Sequence, residues 1–171
     1  SFAANAKSST GGNIALDNSA KDSGRAVTIQ TDDGGAMLRF MDIYPRMFGG
    51  RVTINLTSSE KGVLSGEVDA RNFVVTGEPR LKALAGSPLG PDGKPIEGAK
   101  SRIDTSSVRF ERGNALIEKG KGFLRLRNGI LRSEQFGLSY EGTLYNPQGR
   151  IDINGTFLPI YGINRIFGDL P

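Results

Sequence analysis

Over much of the chain, and almost without a break from Thr105 to Leu158, one device repeats: apolar and polar residues alternate for a few positions, and a polar turn follows. Val108 and Phe110 alternate with Arg109 and Glu111, and Leu124 and Leu126 alternate with Arg125 and Arg127. A period of two sends successive side chains to opposite sides of an extended strand, and no helix can use that pattern to bury one face. Earlier segments do the same. Val27 and Ile29 share a face in Ala26–Gln30, Val52, Ile54 and Leu56 in Arg51–Thr57, and Leu64, Gly66 and Val68 in Val63–Asp69. Short alternating runs joined by short polar turns predict a mainly β chain: a curved antiparallel meander with two or three short helices.

The turns set the expected strand boundaries. Phe2–Lys7 and Asn13–Leu16 flank the cluster Ser8–Gly12, and Asp17–Arg25 reads as a polar connection. Val63–Asp69 answers Arg51–Thr57 as a hairpin, with Phe73 and Val75 in a further strand. Gly113-Asn114 reads as a turn into Ala115–Glu118, and Asn128-Gly129 as a hairpin between Phe123–Arg127 and Ile130–Arg132. Phe136–Tyr145 and Arg150–Leu158 follow, separated by Asn146-Pro147-Gln148-Gly149. Asp33 suits the cap of a helix near 34–43, which Pro45 ends; Pro79 suits the first turn of a second helix near 79–85, carrying Leu81 and Leu84. Gly86–Lys100, rich in Gly and Pro, reads as a loop.

Composition removes several function classes. The 171 residues suit one domain over 1–171, and they contain neither Cys nor His, which takes away the usual transition-metal ligands and the common nucleophile–base pairs. The net charge of +4 has no block of like charge behind it, so nucleic acid is not the expected partner. Asp32 and Asp33 precede a helix, where capping is the simpler role, and the other carboxylates share no spacing. Gly93-Lys94 resembles the end of a phosphate loop, but Pro88 and Pro95 replace the required glycine and hydroxyl residue. Asn55-Leu-Thr57 and Asn154-Gly-Thr156 match glycosylation acceptors inside strands. An enzyme, a metal site and a cofactor are therefore not expected.

The apolar face is the main functional signal. Val52, Ile54, Leu56, Val108, Phe110, Leu124, Leu126, Leu138, Tyr140, Ile151, Ile153 and Phe157 would look to one side of the sheet, together with Val27, Ile29, Leu64, Val68 and Leu144. Two or three short helices are little to cover so many strands, and an uncovered apolar face calls for a second sheet or an apolar ligand. Met37, Phe40 and Met41 form the apolar side of the first helix, suited to a core or to a lid over that face. Arg125 and Arg127 fall on the opposite side, where a solvated surface competes with contact to lipid phosphates. The final stretch Gly155–Pro171 passes from strand to an apolar segment with no polar tail, which reads as part of a longer polypeptide.

Four stretches carry a family resemblance: Asp33-Gly34-Gly35-Ala36-Met37-Leu38-Arg39-Phe40; Tyr44–Leu56 with its Gly-Gly pair; Gly66–Val75 with Leu81–Leu84; and Val108–Leu131 followed by Leu138–Gly142 and then by Gly155-Thr-Phe-Leu-Pro-Ile-Tyr-Gly-Ile-Asn164. Together they resemble the C-terminal region of AsmA-like proteins, the Gram-negative envelope proteins related to TamB and YhdP. The resemblance implies an open β-groove with an apolar interior, in a periplasmic chain held to the inner membrane by an N-terminal segment. It also implies a part in moving phospholipid toward the outer membrane. The expected partners are phospholipid, the rest of a longer chain, and a membrane at one or both ends. The competing expectation is a scaffold or assembly module for outer-membrane proteins that works through exposed strand edges.

Overall fold

A computed structural model describes residues 2–8, 11–21, 24–58, 62–85, 104–145 and 152–159. Gly86–Lys100, Ile151 and residues 160–171 lie outside the described residues, as do the side chains of Leu84, Leu144 and Phe157. The strands are β1 (Phe2–Lys7), β2 (Asn13–Lys21), β3 (Gly24–Thr31), β4 (Met47–Ser58), β5 (Leu64–Thr76), β6 (Ser107–Gly120), β7 (Phe123–Ser133), β8 (Phe136–Tyr145) and β9 (Asp152–Pro159). Among the described residues there are two helices, α1 (Gly34–Phe40) and α2 (Pro79–Ala85). All nine strands join one antiparallel sheet in sequence order, and it is open: β1 and β9 stand at its two ends. This is the expected mainly β meander.

Two expected turns are not turns, and two segments expected as separate strands are one. β6 runs unbroken through Gly113-Asn114 and β7 through Asn128-Gly129, and Val63–Asp69 and the strand of Phe73 and Val75 merge in β5, which continues through Asn72. β2 likewise continues through the polar stretch to Lys21 and pairs Asn18 with Val27. At Asn72 and Asn128 the alternation is reset instead, and in β6 it is reset just before Gly113-Asn114. Asn72 and Asn128 take positive φ (54° and 50°), a conformation asparagine tolerates better than most residues. Two consecutive residues then face outward: Arg71-Asn72 in β5, Glu111-Arg112 in β6 and Arg127-Asn128 in β7. Register shifts mark the same places between β6 and β7 and between β7 and β8. Beyond them Phe73, Phe110 and Gly129 face inward again. Such bulges bend long strands without ending them.

The larger core lies where α1 and α2 cover the inner face. Met37, Met47, Val52, Phe73, Val75, Leu81, Val108, Phe110, Phe136 and Leu138 pack together there. Phe110 is fully buried, stacked on Phe73 at 5.3 Å between centroids and edge-on to Phe136 at 6.0 Å. α1 begins as expected: the Asp33 carboxylate accepts from the Ala36 N–H at 2.9 Å, and the Asp33 N–H donates to the Thr31 hydroxyl at 3.1 Å. The two glycines that open the helix let it lie against β4. A Cβ on Gly34 would come within 2.3 Å of Val52, and one on Gly35 within 2.4 Å of the Met47 carbonyl. α1 ends sooner than the expected 34–43, at Phe40. Its Arg39 donates to the Met47 carbonyl at 2.5 Å and lies 4.9 Å from the Phe48 ring.

Candidate functional site

The register lines up the expected apolar face row by row. Ile29, Ile54, Val68 and Ala115 are cross-strand neighbours, as are Val27, Leu56, Gly66, Ile117, Leu126, Gly142 and Ile153. A third row joins Val52, Ala70, Gly113, Leu131, Leu138 and Phe157. Paired residues of an antiparallel sheet project to the same side, so these rows form one face.

That face has two unlike ends. At one end the helices seal it, and Met37, Val52, Val108, Phe110 and Leu138 are packed against each other. At the other, Leu56, Ile117 and Leu124 form a second cluster flanked by half-buried Val27, Ile54, Leu64 and Leu126. Neither helix contributes to that cluster. Leu56 and Ile117 stand on either side of Gly66, where an added Cβ would collide with the Asn55 carbonyl. Ile153 continues this end on β9 and is half-buried. Tyr140 lies between the ends with its ring over Gly129, where a Cβ would come within 2.6 Å of the ring carbons. Burial pushes its phenol up to about 12.

The first helix departs from its expected apolar side. Met37 is 3% exposed and belongs to the core, but Phe40 is 87% exposed and Met41 40%. The reason is local. The helix ends at Phe40, so the spacing of four from Met37 to Met41 carries the last position past its C-terminus, where Asp42 takes positive φ. The segment after it is held to the residues just before α2: the Tyr44 hydroxyl donates to Glu78 Oε2 at 2.7 Å, and Arg46 donates to the Gly77 carbonyl. Burial first, and then the bond to Glu78, raise the Tyr44 phenol well above its ordinary range.

Arg125 and Arg127 face outward, opposite Leu124 and Leu126. Both are committed to one partner: Arg125 Nη1 donates to Glu118 Oε2 at 3.2 Å, and Arg127 Nη2 to Glu118 Oε1. Arg125 also lies 5.4 Å from the Phe123 ring. Their surroundings on the outer side form a shallow concavity of about 750 Å³, bordered by Thr28, Asn55, Thr57, Ser65, Glu67 and Leu116. Ile151 and the Phe157 side chain lie outside the described residues.

The inward-facing Met47, Phe73, Val75, Ile117, Leu131 and Phe136 were not among the sequence candidates. Strict alternation carried across Gly50 or Asn72 puts Met47, Phe73 and Val75 on the wrong side. Only the positive-φ signal at those positions would have found them. Among the described residues no cluster of three acidic side chains is arranged to hold a metal ion, and no helix is long and apolar enough to cross a membrane. No protein-family model, no curated protein and no solved structure matches the chain.

Proposed function

We propose that this chain is a lipid-shielding segment of an AsmA-like periplasmic bridge, in which the inner face of the open sheet holds phospholipid acyl chains. One observation carries the reading: among the described residues, a nine-stranded open sheet keeps one continuous apolar face while the two helices contribute to the core at only one end. The helix-free end presents Val27, Leu64, Leu126 and Ile153 half-buried, neither sealed by a helix among the described residues nor facing bulk water fully. An acyl chain laid along that row gains about 0.8 kcal/mol for each CH₂ it buries. Its headgroup stays in water at the open seam. The helix-covered end, with Met37 and Leu81 over Phe110, acts as the rigid floor of the segment. In this reading the neighbouring parts of a longer chain continue the groove between an inner-membrane anchor and the outer membrane.

The test is face-specific. A photo-crosslinking amino acid placed at Val27, Leu126 or Ile153 should capture phospholipid in cells, and one placed at Thr28 or Asn55 should not. Native mass spectrometry of the purified chain should find co-purified phospholipid. Equal capture from both faces, or none from the inner one, rejects the proposal. A second reading has one observation in its favour: β1 is almost wholly exposed and, among the described residues, pairs only with β2. An edge of that kind can add a strand from a client outer-membrane protein. Crosslinks from β1 to an outer-membrane protein, with no lipid captured from the inner face, would favour that scaffold role.

A further inference from the structure

Four arginines stand in line across the outer side of the sheet. Arg51 pairs with Arg71, Arg71 with Arg112 and Arg112 with Arg132, so each is directly opposite the next on β4, β5, β6 and β7. With strands about 4.8 Å apart, the row spans roughly 14 Å. All four are exposed, and they lie far apart in the sequence. The reset alternation is what puts two of them there. Counted back from inward-facing Phe73 and Phe110, strict alternation would point Arg71 and Arg112 into the core. The outward pairs Arg71-Asn72 and Glu111-Arg112 turn them to the surface.

Like charges directly opposite one another weaken a sheet, so such a row is not what stability alone would favour. The compensation is incomplete. One carboxylate, Asp69, serves two of the arginines, accepting from Arg71 Nε at 2.7 Å and Arg112 Nε at 2.8 Å. Burial pushes the Asp69 carboxyl up, but the bonds from Arg112 and Arg71 outweigh it and hold it below its ordinary value, so it stays charged. Glu111 meets Arg132 Nε at 3.3 Å. Asp69 and Glu111 thus meet three of the four cations, and a third carboxylate, Asp32, borders the row at its β4 end. At the β4 end, a pocket of about 240 Å³ is bordered by Asp32, Gly50, Arg51, Arg71 and Asn72. The Asp32 carboxylate there is already engaged, accepting from the Asn13 N–H at 2.6 Å and from Asn13 Nδ2 at 3.2 Å.

A guanidinium has five donors in a planar fork, and Asp69 meets Arg71 and Arg112 through Nε. Phosphate oxygens match that fork two at a time. We propose that the arginine row binds a ligand bearing two or more phosphate groups, spread along the line from the Arg51–Arg71 pocket toward Arg132. The row is on the opposite side of the sheet from the apolar face, so the proposal stands whether or not acyl chains occupy that face. The phosphates belong either to an anionic lipid headgroup such as that of cardiolipin or to a soluble polyphosphate.

The experiment uses tripolyphosphate as probe, with calorimetry at constant ionic strength. The full chain should bind it. The double substitution Arg51→Gln and Arg71→Gln should weaken binding by about tenfold or more, as expected for lost charge-assisted bonds. Arg125→Gln with Arg127→Gln, an equal change of charge elsewhere on the same side, should leave it unchanged. Arg51→Gln alone, which leaves both partners of Asp69 in place, should weaken binding too and covers the case in which the double variant fails to fold. Flotation with phosphatidylcholine vesicles containing cardiolipin separates the sources. Flotation that tripolyphosphate competes away supports the site and assigns the headgroup. Tripolyphosphate binding without flotation supports it and assigns a soluble polyphosphate. No binding in either arm overturns the proposal, as does binding that falls equally in the Arg125/Arg127 variant.

Discussion

The Ser133 hydroxyl closes the β7–β8 turn by itself. It donates to the Phe136 carbonyl at 2.7 Å and accepts from the N–H groups of Phe136 at 3.0 Å and Gln135 at 3.3 Å. Ser133 is 4% exposed, so water is poorly placed to replace it. Ser133→Ala should cost about 1–3 kcal/mol in urea unfolding, because a buried N–H and a buried carbonyl each lose a hydrogen bond together. Tyr140 makes a different prediction. Its phenol titrates near 12 in the folded chain and near 10 when unfolded, so the folded state holds the proton more tightly. Stability is then fully present below pH 10 and falls as pH rises through the interval from about 10 to 12. Tyr44, raised by burial and Glu78, adds to the same alkaline loss. Tyr140→Phe should flatten part of that fall in a pH series of unfolding curves, and an unchanged slope would show the Tyr140 proton to be irrelevant.

At the scale of the element, the sequence displayed the strands' faces better than their lengths. Val52, Ile54, Leu56, Leu124 and Leu126 were legible because period-two alternation is local, and Asp33 because a cap is local. The unbroken course of β5, β6 and β7 was not legible. Asn128-Gly129 is a strong hairpin signal taken alone, but a turn there would pull Gly129 away from Tyr140 on the next strand, and packing decided for the bulge. The inward places of Phe73 and Met47 were hidden for the same reason, since each lies one reset beyond the strand whose pattern was read. The arginine row was invisible in principle. Arg51, Arg71, Arg112 and Arg132 become neighbours only through a register that no local pattern contains. The short α1 gives an element-scale prediction. Asp33→Ala should cost about 1 kcal/mol by leaving the first turn uncapped, whereas Phe40→Ser, at an exposed position, should change stability little. Denaturation midpoints of the two variants check this, and an equal loss in both would mean that Phe40 is held in a contact its exposure does not show.

Across the whole molecule, in the proposed reading, the two ends of the apolar face separate stability from lipid binding. Phe110 touches both Phe73 and Phe136 and has no exposed surface, so Phe110→Ala should leave a cavity and cost about 3–5 kcal/mol. Leu126 and Ile153, at the helix-free end, are already half-buried rather than sealed. A carboxylate there keeps part of its hydration, so Leu126→Asp or Ile153→Asp should cost far less than the several kcal/mol of a fully buried unpaired charge. The same carboxylates would stand in the path of an acyl chain. The expected outcome is a crossed pattern. Phe110→Ala should lower the urea midpoint while the phospholipid bound per folded molecule stays constant, and Ile153→Asp should strip the lipid from a chain that remains folded. Met37→Asp, under the helix, belongs with Phe110 and should unfold the domain. If Ile153→Asp instead unfolds the chain as severely as Met37→Asp, the helix-free end is an ordinary core. If Ile153→Asp folds normally and keeps its full complement of lipid, the acyl chains do not run along this face.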